Sequence, residues 1–164
     1  MTPAIIHAKT AGIDFTVFEY EDGSGPSFGA RAAASLGLPP QRVFKTLIAK
    51  LDGARLVVAV LPVASQLDLK RLAAAAGAKR ATLAPAHEAE RSTGYPVGGI
   101  SPLGQRHTLP TFLDQSAFDF KTIYVSAGRR GLELELSPAA LQTACGAELV
   151  RVARGGSVGG DNQR

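Results

Sequence analysis

One cysteine, one methionine and no tryptophan occur in 164 residues, and aromatics make up only 6% of the chain. A lone Cys145 excludes an internal disulfide and a cysteine-built metal site, because each needs more than one thiol from the chain. It stands just before Gly146 among small residues and reads as a small hydrophobe. Long apolar runs are also missing. The longest, Leu56 to Ala64 and Leu72 to Ala76, fall short of the roughly 18 residues that cross a bilayer. Met1 to Thr10 shows no basic patch followed by an apolar run and a small-residue cleavage site, so no secretory signal is expected there. The expectation is a cytoplasmic chain with no membrane association. Neither a Walker loop, a dinucleotide fingerprint, HExxH nor a GxSxG elbow is present, so the familiar nucleotide, metalloprotease and serine-hydrolase classes lack their signatures.

What remains has an ordinary globular composition, 45% hydrophobic and 20% charged, and the length of one domain. Eighteen glycines and ten prolines are too few and too scattered for a collagen-like or low-complexity chain. Eighteen Lys and Arg against 14 Asp and Glu give a net charge of +4, which permits an anionic partner such as RNA without demanding one. Residues 1–154 are expected to form one domain, and the Gly-rich polar stretch 155–164 a disordered tail.

The element pattern is mixed. Thr2-Pro3 is a cap followed by proline at the first helical position, and Gly12 a stop, which predicts a helix over 3–11. Phe15 to Tyr20 reads as a strand with an aromatic on each face, hence buried on both sides. After a polar loop from Glu21 to Pro26, Gly29 to Leu36 reads as a helix closed by Gly37 and Pro39-Pro40. Val43 to Leu51 and Arg55 to Leu61 flank Asp52-Gly53, the dipeptide best suited to a type I′ hairpin.

Gln66 to Ala76 predicts an amphipathic helix with Leu69, Leu72 and Ala76 on one stripe, and Pro85 to Arg91 a second, polar one. Thr93 to Pro110 is rich in glycine and proline and reads as loop. Short strands are expected at Thr111 to Leu113 and Thr122 to Ser126. Leu132 to Leu136 alternates Leu and Glu like a strand with one wet face. Ser137-Pro138 opens a helix that Gly146 ends, and Glu148 to Val152 closes the pattern as a strand. Strands outnumber helices and are joined both by hairpins and through helices. The expected class is therefore α+β: a mixed, partly barrel-like sheet surrounded by helices.

Few residues carry chemistry. His7, His87 and His107 lack metal-ligand spacing and read as surface residues, and no metal or other cofactor is indicated. Glu133 and Glu135 share a strand face, where solvation accounts for them as well as acid–base work. Lys45 interrupts an apolar strand, a costly place for an ammonium without a task, although a long stem can also carry its charge to the surface. The loop Gly98-Gly99-Ile100-Ser101-Pro102-Leu103-Gly104 has glycines that admit close approach and a proline that stiffens it. Tyr124-Val125-Ser126-Ala127-Gly128 is a small-residue strand end opening into a basic turn, whose amides can hold an oxyanion or merely make the turn tight.

Four spaced motifs, Phe44-Lys45-Thr46-Leu47, Gln66-Leu67-Asp68-Leu69-Lys70, Arg91-Ser92-Thr93-Gly94-Tyr95 with Gly98 to Gly104, and Tyr124 through Gly128 to Glu133, resemble the YbaK/EbsC family. The resemblance runs in order from about Thr2 to Arg154. It implies a mixed, barrel-like core with outer helices and the hydrolysis, in trans, of cysteine misattached to tRNA(Pro), as in the editing domain of bacterial prolyl-tRNA synthetase. Cysteine and proline differ too little for one hydrophobic pocket to police, so a second sieve is needed.

By the same resemblance Lys45 is the central polar, catalytic residue. Tyr20, Gly99, Ile100, Ser101, Gly104, Ser126, Gly128 and Glu133 form the substrate pocket, the last being often Asp in the family. The implied mechanism is substrate-assisted: the cysteinyl thiol attacks its own ester carbonyl and releases the tRNA. Arg129, Arg130, Arg106, Lys70 and Arg71 are candidates for acceptor-stem phosphates. The implied partners are Cys-tRNA(Pro), or also Cys-tRNA(Cys), and prolyl-tRNA synthetase, without DNA. The rival readings are a deacylase for alanine or another small amino acid, a non-catalytic tRNA- or synthetase-binding module, and a small-molecule ester hydrolase.

Overall fold

The computed structural model describes residues 1–21 and 28–155, apart from the side chain of Phe28. Helix α1 (Pro3–Thr10) starts as its cap predicts, with the Thr2 hydroxyl accepting from the Ile5 amide at 3.2 Å. Strand β1 (Phe15–Glu19), helix α2 (Phe28–Leu36) and the strands β2 (Phe44–Leu51) and β3 (Arg55–Pro62) follow. The β2–β3 hairpin forms where expected, and Asp52 and Gly53 both have positive φ, as a type I′ turn requires. It is one residue longer than the minimal turn, because Ala54 closes back on Leu51 at 2.9 Å before Arg55 pairs with Leu51.

The segment after β3 departs from the sequence reading. Gln66–Leu67 is not helix but a two-residue strand, β4, and α3 runs only from Leu69 to Ala75 behind an Asp68 cap. Strand β5 (Ala81–Leu83), absent from the sequence reading, extends the hairpin sheet on its β2 edge. Helix α4 (Ala86–Thr93) precedes the long loop, and β6 (Thr111–Asp114) runs into a short 3-10 helix at Gln115–Asp119. Strands β7 (Ile123–Ser126) and β8 (Leu132–Leu136) form the second hairpin. Helix α5 (Pro138–Cys145), β9 (Glu148–Val150) and β10 (Ala153–Arg154) complete the described chain. The expected strand to Val152 thus stops at Val150, and the chain pairs again only at β10, which joins β4.

Three sheets result: β5-β2-β3-β6-β9, mixed because β6 lies parallel to both β3 and β9; β1-β8-β7, antiparallel; and the small β10-β4 pair. The first two join at a corner, where Val43 bridges Tyr124 in parallel. The main core fills between the sheets and α1, α4 and α5, with Phe44, Ile48, Leu113, Ile123, Leu134 and Leu136 all buried. Leu47, Leu51, Leu61 and Leu72 form a second cluster under α3. Strand β1 is an edge strand rather than one buried on both sides: Phe15 packs on the main core and Phe18 on a third cluster, but Thr16, Val17 and Glu19 are exposed. No helix among the described residues is long and apolar enough to cross a membrane. The expected Glu21–Pro26 loop beyond Glu21, and the tail from residue 156, lie outside the described residues.

Candidate functional site

The corner between the sheets assembles the site. Val43 and Tyr124 share one face with Ala32 and Ala33 of α2, and with Val63, Phe18, Tyr20 and Leu38. Side chains alternate along a strand, so two residues beyond that bridge the same face carries Lys45 on β2 and Ser126 on β7. Ser126 pairs with Glu133 of β8, and Glu133 with Phe18 of β1. Lys45, Ser126, Glu133 and Phe18 therefore form one transverse row across four strands. Tyr20 lies two residues past Phe18, its amide donating to the Gly131 carbonyl at 3.0 Å.

Lys45 is 2% exposed and does not snorkel: its Nζ donates to the Ser65 carbonyl at 2.7 Å, in the turn between β3 and β4. Glu133 is also 2% exposed, which overturns the expectation of a wet face on β8. The alternation was right, but α2 and the corner cover that face. Glu135, two residues on, stays half-buried and takes part in a polar cluster: it accepts from Thr122 Oγ1 at 2.6 Å and from Arg42 at 3.3 Å. Arg42 also donates to the Thr122 carbonyl at 2.8 Å and sits 5.1 Å from the Tyr124 ring centre. Burial, helped by the Glu135 charge, raises the Tyr124 phenol above its ordinary range.

The Gly98–Gly104 loop meets the turn that follows Ser126, beyond the end of β7. A Cβ on Gly99 would lie 2.8 Å from Arg129 Cα and 3.1 Å from the Arg130 amide, so only glycine lets the loop meet the 127–131 turn. The other loop residues turn elsewhere. The Ile100 side chain is in the main core, which leaves only its backbone for a ligand. Ser101 is buried with its hydroxyl accepting from the Leu103 amide at 3.2 Å, a turn-stiffening role, while Gly104 packs on α1. Ser126 likewise accepts from the Gly128 amide at 3.1 Å, and Gly128 lies against Tyr95 and Thr2.

Of the candidate phosphate-binding residues, exposed Arg129 and Arg130 ride on the turn against Gly99, with Arg129 Nη2 3.8 Å from Glu19 Oε1. Arg106 is exposed over Gly94, and its guanidinium donates to the Arg91 carbonyl at 3.3 Å. Lys70 and Arg71 stand apart on α3, Arg71 being tied to Asp68 at 3.6 Å. A basic cluster missed in the sequence stands at the tip of the first hairpin, where Lys50, Lys79 and Arg80 line a groove of about 690 Å³ with Asp52 and Thr82. It is invisible in sequence because β5 brings residues 79–82 alongside 50–52. Asp52 fixes it by accepting from the Lys79 and Arg80 amides at 3.1 and 2.9 Å.

His7 is not the free surface residue expected: it is half-buried and its Nδ1 accepts from the Gly104 amide at 2.8 Å. His87 and His107 are exposed. Cys145 is half-buried in α5, donating to the Leu141 carbonyl at 3.0 Å, and burial pushes its thiol up to about 11. Among the described residues no cluster of three His, Cys, Asp or Glu is placed to hold a metal ion.

A buried lysine, serine and carboxylate thus stand in one row at a mixed-sheet corner, with a glycine loop and two exposed arginines beside them. The chain belongs to the aminoacyl-tRNA editing domain family, whose sequence profile matches residues 26–144. It is 43% identical over 109 residues to the "Putative Cys-tRNA(Pro)/Cys-tRNA(Cys) deacylase EbsC" of Enterococcus faecalis, a match spanning 66% of each chain. It is 30% identical over 122 residues to YwhH of Bacillus subtilis, covering 74% of this chain and 76% of that one. Among solved structures, hypothetical protein APE2540 superposes with a TM-score of 0.83 at 28% identity, over 93% of this chain and 99% of the other. A "putative trans-editing enzyme for prolyl tRNA synthetase" superposes at 0.81 and 20% identity, over 94% and 99%, which shows the shared fold. The mixed α/β architecture expected from the sequence is thus the editing-domain fold.

Proposed function

We propose that this chain is a trans-acting aminoacyl-tRNA deacylase that removes cysteine from tRNA(Pro). The observation that carries the reading is the buried Lys45, held by the Ser65 carbonyl in one row with Ser126 and Glu133, in a chain of the editing family. An ammonium held away from water acts on a nearby ester with far more force than one in solvent.

The site's hydroxyls favour positioning over attack. Ser101 and Ser126 each accept from an amide two residues further on, and the Cys145 thiol is kept neutral in α5. The cysteinyl thiol then serves as the nucleophile. Its sulfur bonds to the ester carbonyl carbon, the carbon–oxygen bond to the terminal ribose breaks, and the thiol proton goes to the leaving ribose oxygen. The product is a cyclic thiolactone and free tRNA. Such a strained ring closes only when the thiol is held against the carbonyl, which is the contribution a rigid pocket makes. Proline has no thiol, so the correct product survives by its chemistry rather than by its size.

In this reading Lys45 orients the ester and the terminal ribose. The Gly99–Ser101 backbone bounds them, and Tyr20, Ser126, Gly128 and Glu133 bound the amino acid. Arg129 and Arg130, beside the loop, serve the first phosphates. At the hairpin tip, five residues beyond Lys45 along β2 and about 17 Å away at the rise of a strand, Lys50 is held by Glu88, which leaves Lys79 and Arg80 to serve phosphates further down the stem. Residues 1–154 act as one domain, with prolyl-tRNA synthetase as the partner that delivers the substrate. The test incubates the protein, and its Lys45→Ala variant, with Cys-tRNA(Pro), Ala-tRNA(Pro) and Pro-tRNA(Pro). Loss of the cysteinyl ester alone, dependent on Lys45, is expected. Loss of alanine instead moves the chain to the sibling specificity, and binding without turnover makes it a tRNA-binding module.

A further inference from the structure

We infer that His7 is a positioning residue for this site: its neutral imidazole latches the Gly98–Gly104 loop to α1, and protonation of the ring releases it. The inference rests on the reading of that loop as a wall of the deacylation site. The Gly104 amide lies 2.8 Å from His7 Nδ1. A backbone N–H only donates, so Nδ1 carries no proton and the ring's single proton is on Nε2.

The contact is tight from the other side as well. A Cβ on Gly104, whose φ is +68°, would come within 2.5 Å of the Pro3 carbonyl, so loop and helix touch backbone to backbone. The start of the same helix holds the opposite wall. Thr2 Oγ1 donates to the Ala127 carbonyl at 2.5 Å, one residue past Ser126, and a Cβ on Gly128 would lie 3.2 Å from Thr2 Cβ. The two walls meet at Gly99 and Arg129, and Tyr95 stiffens the loop by donating to the Leu103 carbonyl at 2.5 Å. Helix α1 is therefore a brace with two grips, Thr2 on the turn and His7 on the loop.

A second proton on the ring would set Nδ1–H against the Gly104 N–H, donor against donor, and the bond is lost. Among the described residues no carboxylate lines the groove beside the ring, and the favourable contribution to an imidazolium is the negative end of the α1 dipole, since His7 stands in the last turn of that helix. His7 lines this groove of about 390 Å³ with residues of the 102–111 stretch and of α5, and Cys145 is the other titratable group in that lining. Its thiol, pushed up to about 11, stays neutral in acid. On α1 itself the neighbouring charge is Lys9, which is also positive, and the flanking Arg106 and His107 of the loop are exposed.

Two substitutions separate the parts of the claim. His7→Asn places Oδ1 where Nδ1 stood, keeping the acceptor without the titration, whereas His7→Phe keeps the ring and loses the acceptor. Each is followed by amide exchange of residues 98–104, corrected for the intrinsic effect of pH, and by single-turnover loss of Cys-tRNA(Pro). Loop protection and rate in the native chain fall together on acidification, relative to His7→Asn, which stays within about 2-fold of native near neutral pH. His7→Phe is about 10-fold slower at every pH, as expected for one orienting hydrogen bond, with its melting temperature little changed. Indistinguishable Asn and Phe variants, or native loop protection no more acid-sensitive than that of His7→Asn, overturn the latch. Protection that follows His7 while the rate does not overturns its positioning role. If the native chain releases no cysteine while the exchange pattern holds, the functional reading fails and the His7–Gly104 contact stands.

Discussion

Asp114 offers the sharpest test of how this fold supports its site. Its buried carboxylate accepts four hydrogen bonds: the Val152 and Ala153 amides at 2.9 Å each, the Ser116 amide at 3.1 Å and the Ser116 hydroxyl at 2.6 Å. The first two tie down the end of the chain. Val152 in turn accepts from the Asp68 amide at 2.7 Å, and β10 pairs with β4, directly after the Ser65 turn that holds Lys45. Replacing Asp114 by Ala strands two amides, one of them on fully buried Val152. Hydrogen bonds to a charged group contribute about 1.5–3 kcal/mol each; the Ser116 groups regain water, and relief from burying the carboxylate offsets part, leaving a loss of about 3–4 kcal/mol. With a urea slope near 2 kcal/mol/M, the unfolding midpoint drops by about 1.5–2 M. Asp114→Asn keeps an acceptor for the chain end and loses only the Ser116 side, about 1 kcal/mol. Urea titrations followed by circular dichroism decide. An Ala variant within about 1 kcal/mol of native, or an Asn variant as damaged as Ala, refutes the reasoning.

Three further outcomes are expected. Lys45→Met removes a buried charge together with its bond to Ser65, two effects that oppose each other, so stability shifts by less than about 2 kcal/mol while deacylation falls at least about 100-fold; thermal melts and single-turnover rates check both. Cys145→Ser keeps native deacylation, and the native Cys145 reacts slowly with a thiol reagent at neutral pH because its thiol stays protonated; rapid labelling or lost activity counts against its buried role. The hydrogen bond from Lys50 holds the Glu88 carboxyl below its ordinary 4.5, against the opposing effect of burial. Its stabilising contribution is therefore complete above about pH 4.5 and lost as pH falls through the lower folded value, so Glu88→Gln flattens the acid side of a melting-temperature profile.

What could be read in advance depended on how local the cause was. The first hairpin was legible because two apolar runs flank Asp52-Gly53, and α1 and α5 because Thr2-Pro3 and Ser137-Pro138 each give a cap and a first helical proline in two residues. Strands β4 and β10 were not, since each has two residues and pairs with a partner more than 80 positions away. The same spacing of Leu69, Leu72 and Ala76 fits a helix starting at Gln66 or at Leu69; the Asp68 cap and the pairing of Gln66 with Arg154 decide it. Glu133 was misread because alternation tells which residues share a face and not whether water or α2 covers that face. Lys45 stood out as a charge in an apolar strand, but its anchor, the Ser65 carbonyl, comes from a turn 20 residues on. The His7 contact and the hold of Asp114 on the chain end gave no signal, because both act on backbone amides brought in from distant segments, and an amide has no residue type to recognise.

The central claim is that this pocket positions a nucleophile its substrate brings. The direct measurement compares single-turnover release of cysteine and of S-methylcysteine from the same tRNA(Pro). The account predicts fast loss of the cysteinyl ester and no acceleration for the capped one, although the two differ by a single methyl group. Equal rates for both would contradict it, placing the attacking group on the protein or on water.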